Sequence, residues 1–567
     1  MDYPNLFKPI VIAGTMFKNR ISSSPIGHPD TSITGEFSDD AIAFYERKAQ
    51  GGCAIVTLGE AVVDSVHGKR YSVELSLDAM RSKRTLARVS DRISRYGAVP
   101  SIELQHAGMC ATPGVETLGL FKGSEHVYGP SACEFRGNKI EEMPEDLILE
   151  TIDKFASAAK FVQDMGFGMV TVHGGHGWLI NQFFSEDTNH RTDKWGGSAE
   201  NRARLAVEVC DAIHKKCGKN FPVEMRISAS EVIAGGYGVE EGIKLAKALE
   251  GHADIIHCSV GGALFSPESY RNNTVIHPSM FREDGMNVKY AAEVRKHVKT
   301  PIATVGALAD PDLMEEIIAT GKADIVAMAR ELICDPDMPN KARTGRKDEV
   351  VKCMRCFSCF SNGMEKGSFW CALNPETNRE QSFNRGKEKA IPKKVLVVGG
   401  GIGGMEAALT AAKNGHQVIL CEKNDRLGGH IRCEEKVPFK KHLNEYILQR
   451  EMLIGRTDID VRLGVEVTPE YAKEVGADVI IAALGSRPLI PNIPGIDGAN
   501  VISADDAYIS PEKLGAKSVI LGAGLVGSEL AIYLHSLGKD VTVVEMAEKV
   551  NAAGNSLQQL AVETCIK

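Results

Sequence analysis

From Leu6 to about Pro339 the chain alternates short, nearly continuous apolar runs with longer segments that mix polar and apolar positions. Besides a strand expected near RISSSPI (20–26), the runs are CAIVTLG (53–59), VPSIELQ (99–105), GMVTVH (168–173), PVEMRIS (222–228), DIIHCSV (254–260), PIATVG (301–306) and ADIVAMAR (323–330). A strand buried on both faces reads this way, because neither face needs polar residues. The intervening segments carry helical periodicity, as in EDLILETIDKFASAAKFVQDMG (145–166) and NVKYAAEVRKHVK (287–299). Eight such strand–helix units predict a (β/α)8 TIM barrel over residues 1–340. In that architecture the chemistry sits where the strands end, at their C-terminal side.

Beyond Lys341 the pattern stops. Gly, Ser, Cys and charged residues dominate 341–389, so something other than an apolar core must organise this segment. An α/β pattern resumes at Ile391. KKVLVVGGGIGG (393–404), a helix and QVILCEK (417–423) form one βαβ unit, and KSVILGAGLVGSELAIYLHSLGKDVTVVE (517–545) forms another. The expected divisions are the barrel (1–340), a cysteine segment (341–389) and two Rossmann-like dinucleotide-binding units (390–510 and 511–567).

Composition narrows the picture. The length of 567 residues, 43% of them hydrophobic, suits three or four packed domains. The net charge of −8 and the lack of a basic tract argue against a nucleic-acid partner. The N-terminus, MDYPNLFKPI, has no basic stretch leading into an apolar one, so no signal peptide is expected. No run approaches the roughly 18 apolar residues of a spanning helix, and a cytoplasmic protein is expected. Its 14 cysteines are then no disulfide framework. Those scattered singly, such as Cys53, Cys110, Cys210 and Cys258, read as small buried hydrophobes.

Four cysteines are grouped. Cys353, Cys356 and Cys359 follow one another at CxxC spacing, and Cys371 lies a little further on. Thiolates are soft ligands for iron–sulfur clusters or zinc. Zinc sites more often use two separated pairs, so a run of three with a remote fourth favours [4Fe–4S]. The glycine-rich turns carry a second chemistry. Gly399, Gly401 and Gly404 follow a strand and open a helix, and Glu422 ends the next strand. Such glycines let a pyrophosphate approach the helix N-terminus, and the acid can hold a ribose hydroxyl. AALGSRPLIPNIPG (482–495) resembles the segment that closes an FAD site in two-dinucleotide reductases. Gly522, Gly524, Gly527 and Glu545 repeat the arrangement. A carboxylate at Glu545 would repel a 2′-phosphate, which favours NADH over NADPH.

KNRISSSPIG, ELQHAG, VHGGHGWLINQFFSEDTNHRTDKWGGSAENR, PIATVG, ADIVAMAREL and the cysteine run together resemble the multi-centre old yellow enzyme family over essentially the whole chain. That family includes 2,4-dienoyl-CoA reductases, trimethylamine dehydrogenase and bile-acid-inducible reductases. The resemblance implies FMN in the barrel, a cluster beside it, and FAD and a nicotinamide in the dinucleotide units. It implies that Pro25, Gly59 and Gln105 line the isoalloxazine and that Arg226 faces its N1/O2 edge. Gly306, Ala329 and Arg330 would hold the FMN phosphate. His173 and His176 would donate hydrogen bonds to a substrate carbonyl, and His257 would face the same site. Many members carry tyrosine in HGYLI and use its hydroxyl to protonate the α carbon; here the residue is Trp178. An indole N–H is no comparable acid.

The expected function is an NADH-dependent ene-reductase. Electrons would run through FAD, the cluster and FMN to the C=C bond of a small α,β-unsaturated carbonyl compound. The alternative is an amine dehydrogenase resembling the trimethylamine enzyme, which the CxxCxxC spacing fits. An ammonium substrate calls for an aromatic cage. The strand ends TLGEAVV (57–63) and CSVGGALF (258–265) offer no Tyr or Trp for one. An electron-transfer module without a substrate is disfavoured by His173 and His176. Only about fifty residues follow Lys517, fewer than a nicotinamide domain and a returning FAD segment need, so the donor end is expected to be truncated.

Overall fold

Each of the eight expected strands belongs to one parallel sheet in the computed structural model. The structure describes every residue except 1, 28–29, 31–35, 79–81, 118–120, 234, 263–272, 386–389 and 567. The strands are β1 (Ile21–Ile26), β2 (Ile55–Val62), β3 (Val99–Gln105), β4 (Val170–Gly174), β5 (Val223–Ser228), β6 (Ile255–Ser259), β7 (Ile302–Val305) and β8 (Ile325–Met328). Each pairs with the next, and β8 pairs with β1, which closes the barrel. β2 runs past its expected end at Gly59 because a bulge inserts one residue against β3. Leu58 faces Ile102 while Ala61 faces Leu104.

Helices on the barrel's outside include α1 (Asp39–Gln50), α2 (Lys83–Ser94), α3 (Glu145–Asp164), α4 (Ala199–Cys217), α5 (Val239–Leu249), α6 (Val288–Arg295) and α7 (Pro311–Ala319). Their starts follow capping chemistry. Ser38 and Ser198 accept from backbone N–H groups of α1 and α4, and Asp310 does so for α7, which opens on Pro311. α3 buries Leu147, Ile148, Thr151, Ile152, Phe155, Ala159 and Val162, a stripe at three- and four-residue steps. The N-terminal mouth is closed by a hairpin, Ile10–Ile12 against Thr15–Phe17. Its Ile12 and Phe17 pack on Ala54, Ile55, Met169, Ile255, Ala303 and Ile325, around the strand starts.

The chain divides into two units, Met1–Ser382 and Phe383–Lys567, so the cysteine segment belongs with the barrel. The Phe369 ring of that segment packs, tilted by 31°, 5.4 Å from the Phe44 ring of α1. The second unit holds a parallel sheet in the order β11–β10–β9–β12, formed by β9 (Lys394–Val398), β10 (Gln417–Glu422), β11 (Asp460–Leu463) and β12 (Val479–Ala482). A further parallel pair joins β13 (Lys517–Leu521) and β14 (Asp540–Val544). Between them runs α9 (Leu525–Ser536), after α8 (Ile402–Lys413) in the first βαβ unit. Leu530, Tyr533 and Leu534 of α9 pack on Val437, Ala507 and Tyr508. Among the described residues no helix is long and apolar enough to cross a membrane.

Candidate active site

Register places four of the expected residues side by side. β4 and β5 align His173 with Arg226, and β5 and β6 align Arg226 with His257. Val172 faces Leu104, so Gln105 comes level with His173 on β3. The Arg226 guanidinium donates to Glu103 Oε1 at 3.0 Å, reaching from β5 past β4 to β3, so these side chains point into the barrel. All four carry buried polar atoms without a partner: both amide atoms of Gln105, Nδ1 of His173, Nε of Arg226 and Nε2 of His257. Buried polar atoms are nearly always paired. An arc of four such side chains at the C-terminal mouth is therefore shaped for a polar ligand, and a flavin ring edged with nitrogens and oxygens fits that donor set.

Two glutamates hold the arc from below. Glu103 accepts from Arg226 and lies 3.8 Å from His173 Nδ1. Glu224 accepts from Thr171 Oγ1 at 2.6 Å and pairs with His257 Nδ1 at 3.2 Å. Sequence reasoning missed both. Each stands two positions before an expected residue on the same strand, and that spacing puts it on the same face.

His173 and His176 are brought together, with ring centroids 5.0 Å apart. β4 ends at Gly174, and His176 lies in the turn beyond it at φ +58°, the left-handed region. That conformation is held from two strands. The His176 backbone N–H donates to Ser228 Oγ at 3.1 Å, and its Nε2 meets Ser259 Oγ at 2.8 Å. Burial first, and the Arg226 charge second, keep both imidazoles well below the usual histidine range, so they are neutral. Trp178 lies 6.1 Å from the His173 ring, and the Arg70 guanidinium sits 5.7 Å from the Trp178 ring.

The remaining barrel positions divide by cause. Pro25 is half-buried on β1. A Cβ on Gly59 would lie 1.9 Å from the Ile26 carbonyl carbon, so the close approach of β1 and β2 itself demands glycine there. Gly306 follows β7 at φ +129°, and Ala329 and Arg330 follow β8. That is where barrels of this kind bind phosphate. Arg330 donates from Nη2 to the Pro278 carbonyl at 2.7 Å, while its Nη1 is buried without a partner. Its guanidinium also lies 5.0 Å over the Phe357 ring, between two of the grouped cysteines.

Those cysteines sit on a loop and the first turn of the helix Ser358–Lys366, with Cys371 beyond it. All four are partly buried. The loop is fastened to the barrel: Cys353 N–H donates to Glu331 Oε2 at 2.8 Å, and Arg355 donates to Asp284 at 2.8 Å. The sulfurs of Cys353 and Cys371 accept from the Arg355 and Leu373 N–H groups, each at 3.4 Å. Among the described residues, three ligand atoms come within 4.8 Å of one another at His430, Cys433 and Asp505 but not within this cysteine set. Four partly buried thiols, two of them accepting backbone N–H bonds, suit ligation of an iron–sulfur cluster or zinc. A fifth thiol, Cys334, is buried beside Cys371 and bonds the Val351 carbonyl at 3.3 Å. It is a singleton far upstream, so no spacing signalled it.

Both glycine turns have the geometry that a dinucleotide needs. Gly399 and Gly522 turn at φ +103° and +101°. A Cβ on Gly404 or Gly527 would lie 1.8 or 2.0 Å from the preceding turn's carbonyl oxygen, so the third glycine is required for helix packing. Gly524 faces open space and Gly401 nearly so, which leaves room for a phosphate. Glu422 accepts from Gly400 N–H at 2.6 Å. Glu545 accepts from Met546 and Ala547 N–H at 2.7 and 2.9 Å, bonds that hold its carboxyl below the usual range.

Comparison with known proteins adds to this geometry. Residues 5–349 match the NADH:flavin oxidoreductase / NADH oxidase family, and residues 393–566 match the pyridine nucleotide-disulphide oxidoreductase family. The chain is 36% identical over 559 residues to an NADH oxidase of Thermoanaerobacter brockii, covering 97% of this chain and 84% of that one. It is 33% identical over 580 aligned positions to a cinnamate reductase of Clostridium sporogenes, covering 98% and 85%. The solved structure of 2-naphthoyl-CoA reductase in complex with 2-naphthoyl-CoA matches with a TM-score of 0.91 at 30% identity, over 100% of this chain and 86% of that one.

Proposed function

For a chain that belongs to the NADH:flavin oxidoreductase / NADH oxidase family, we propose reduction of the C=C bond of an α,β-unsaturated carbonyl compound at an FMN in the barrel. The observation that carries this reading is the arc of Gln105, His173, Arg226 and His257 with its unpaired buried atoms, in which neutral His173 stands beside neutral His176. When bound, the flavin supplies hydride for the β carbon. Pro25, Gly59 and Gln105 line its ring, Arg226 faces the edge that becomes negative, and Gly306, Ala329 and Arg330 take its phosphate. His173 and His176 donate to the substrate carbonyl oxygen, which gains charge as the C=C bond is reduced. Neutral imidazoles suit this, since they donate without adding a second cation beside Arg226.

In the same reading Cys353, Cys356, Cys359 and Cys371 hold a [4Fe–4S] cluster in segment 341–389. FAD sits at Gly399, Gly401, Gly404 and Glu422 in 390–510, and NADH at Gly522, Gly524, Gly527 and Glu545 in 511–567. The names of the two reductases above, for cinnamate and 2-naphthoyl-CoA, favour a conjugated carboxyl compound or its thioester. Amine oxidation is the competing reading. The β2 exit, 57–63, carries no aromatic residue for a cage, and 263–265 at the β6 exit lies outside the described residues.

The test is anaerobic. NADH should bleach the flavin absorbance, and enones should restore it. A result in which methylated amines reduce the flavin while no enone reoxidises it would sink this reading in favour of the amine one.

A further inference from the structure

The proposed reduction leaves a proton to be found. Hydride forms the Cβ–H bond, the C=C π pair moves toward the carbonyl, and a proton must then form the Cα–H bond. Trp178 stands where the resembled family has its acid. His257 pairs its Nδ1 with Glu224, and its Nε2 belongs to the arc that faces the flavin.

We propose that Glu60 is the acid that protonates the α carbon. Glu60 lies in the β2 bulge, directly after Gly59 at the barrel's C-terminal rim. Bulges at barrel rims re-aim side chains. The missing side chain at Gly59 lets β1 come close, and Glu60 Cγ lies beside Gly27. Unlike Glu103 and Glu224, the Glu60 carboxyl makes no hydrogen bond or ion pair among the described residues. The charged groups acting on it are Glu74, Glu103, Arg70 and Arg226. Two of these are Arg226 of the flavin arc and Glu103, which holds it from below. A third, Arg70, lies over Trp178. Register puts the bulge beside the end of β3, where Ala61 and Val62 face Leu104 and Gln105, so Glu60 sits next to the strand that carries Gln105. Glu74 is anchored through Oε2, which accepts from the backbone N–H groups of Arg70 and Tyr71 at 2.8 and 3.1 Å, while its Oε1 is buried without a partner.

Burial, reinforced by Glu74 and Glu103 against the pull of Arg70 and Arg226, raises the Glu60 carboxyl to about 8. It is therefore protonated near neutrality. After giving up its proton it is a carboxylate, and it is recharged from solvent on its partly exposed side.

This inference rests on the ene-reductase reading, and the test separates the two. Flavin in the holoenzyme is reduced anaerobically with dithionite and reoxidised by an enone. In the wild type, reoxidation slows as pH rises through about 8. Glu60→Gln should cut its rate about 100-fold or more and abolish that limb, whereas Glu60→Asp should keep part of both. A second readout needs no turnover. Infrared spectra should show a protonated-carboxyl band that titrates away through about 8 and is missing from Glu60→Gln. Equal reoxidation of wild type and Glu60→Gln would overturn the role of Glu60 and leave the ene-reductase reading standing. Failure of every enone to reoxidise the wild type would overturn both.

Discussion

At the N-terminal mouth of the barrel, Ile12 and Phe17 close on Ala54, Ile55, Met169, Ile255, Ala303 and Ile325, and all are buried. At the C-terminal mouth, Gln105, His173 and His257 are as deeply buried, yet they end in polar atoms with no partner. The same eight strands supply both ends. Burial alone does not tell core from site; what separates them is whether the buried groups are satisfied. The apolar end stabilises the fold, whereas the polar end costs stability that a ligand can restore.

Four outcomes would sharpen or break this contrast. Phe17→Ala should destabilise the barrel by about 3–5 kcal/mol, read by denaturant unfolding, with flavin affinity little changed below the transition. If instead flavin loss precedes unfolding, the two ends are not independent. His173→Ala at the other mouth should slow enone reoxidation by about 10²–10³-fold, as for a lost oxyanion donor. Equal destabilisation by both variants would erase the distinction. Gln105→Leu removes two unpaired atoms, so the flavin-free protein should gain roughly 1 kcal/mol while flavin binds more weakly. Titration calorimetry and thermal melts on the same samples would show whether the signs are opposite.

The smallest effect is in pH. His173 and His176 resist protonation when folded, and burial together with Arg330 and Arg226 lowers His277 to about 3. The unfolded chain takes up these protons below about 6.5, so stability of the flavin-free protein should fall as pH drops from there. None of the eight buried residues packed at the apolar mouth is titratable, so Phe17→Ala should leave that slope unchanged.

The sequence was most informative where structure is local. Apolar runs located seven of the eight strands, because a doubly buried strand has no polar face to blur the signal, whereas the first strand buries Ser22, Ser23 and Ser24. The glycine turns were equally readable, since Gly399 and Gly404 answer to constraints within their own βαβ unit. What escaped is non-local. Glu103 reaches Arg226 past β4, Ser259 fixes His176 from β6, and Cys334 meets Cys371 only in the folded chain. The bulge at Gly59 and Glu60 escaped for another reason. One inserted residue changes where a side chain points without altering the apolar run.

Arg330 divides itself between two centres: one nitrogen waits unpaired in the phosphate region, while the plane of the group covers Phe357 in the cysteine loop. A side chain shared in this way makes the two occupancies reciprocal. Whatever factor a bound flavin phosphate adds to the hold on the cysteine loop, a filled loop must return to flavin affinity. On the proposed reading, the chain would then take up flavin and cluster as a cooperative pair, and a preparation short of one should be short of the other.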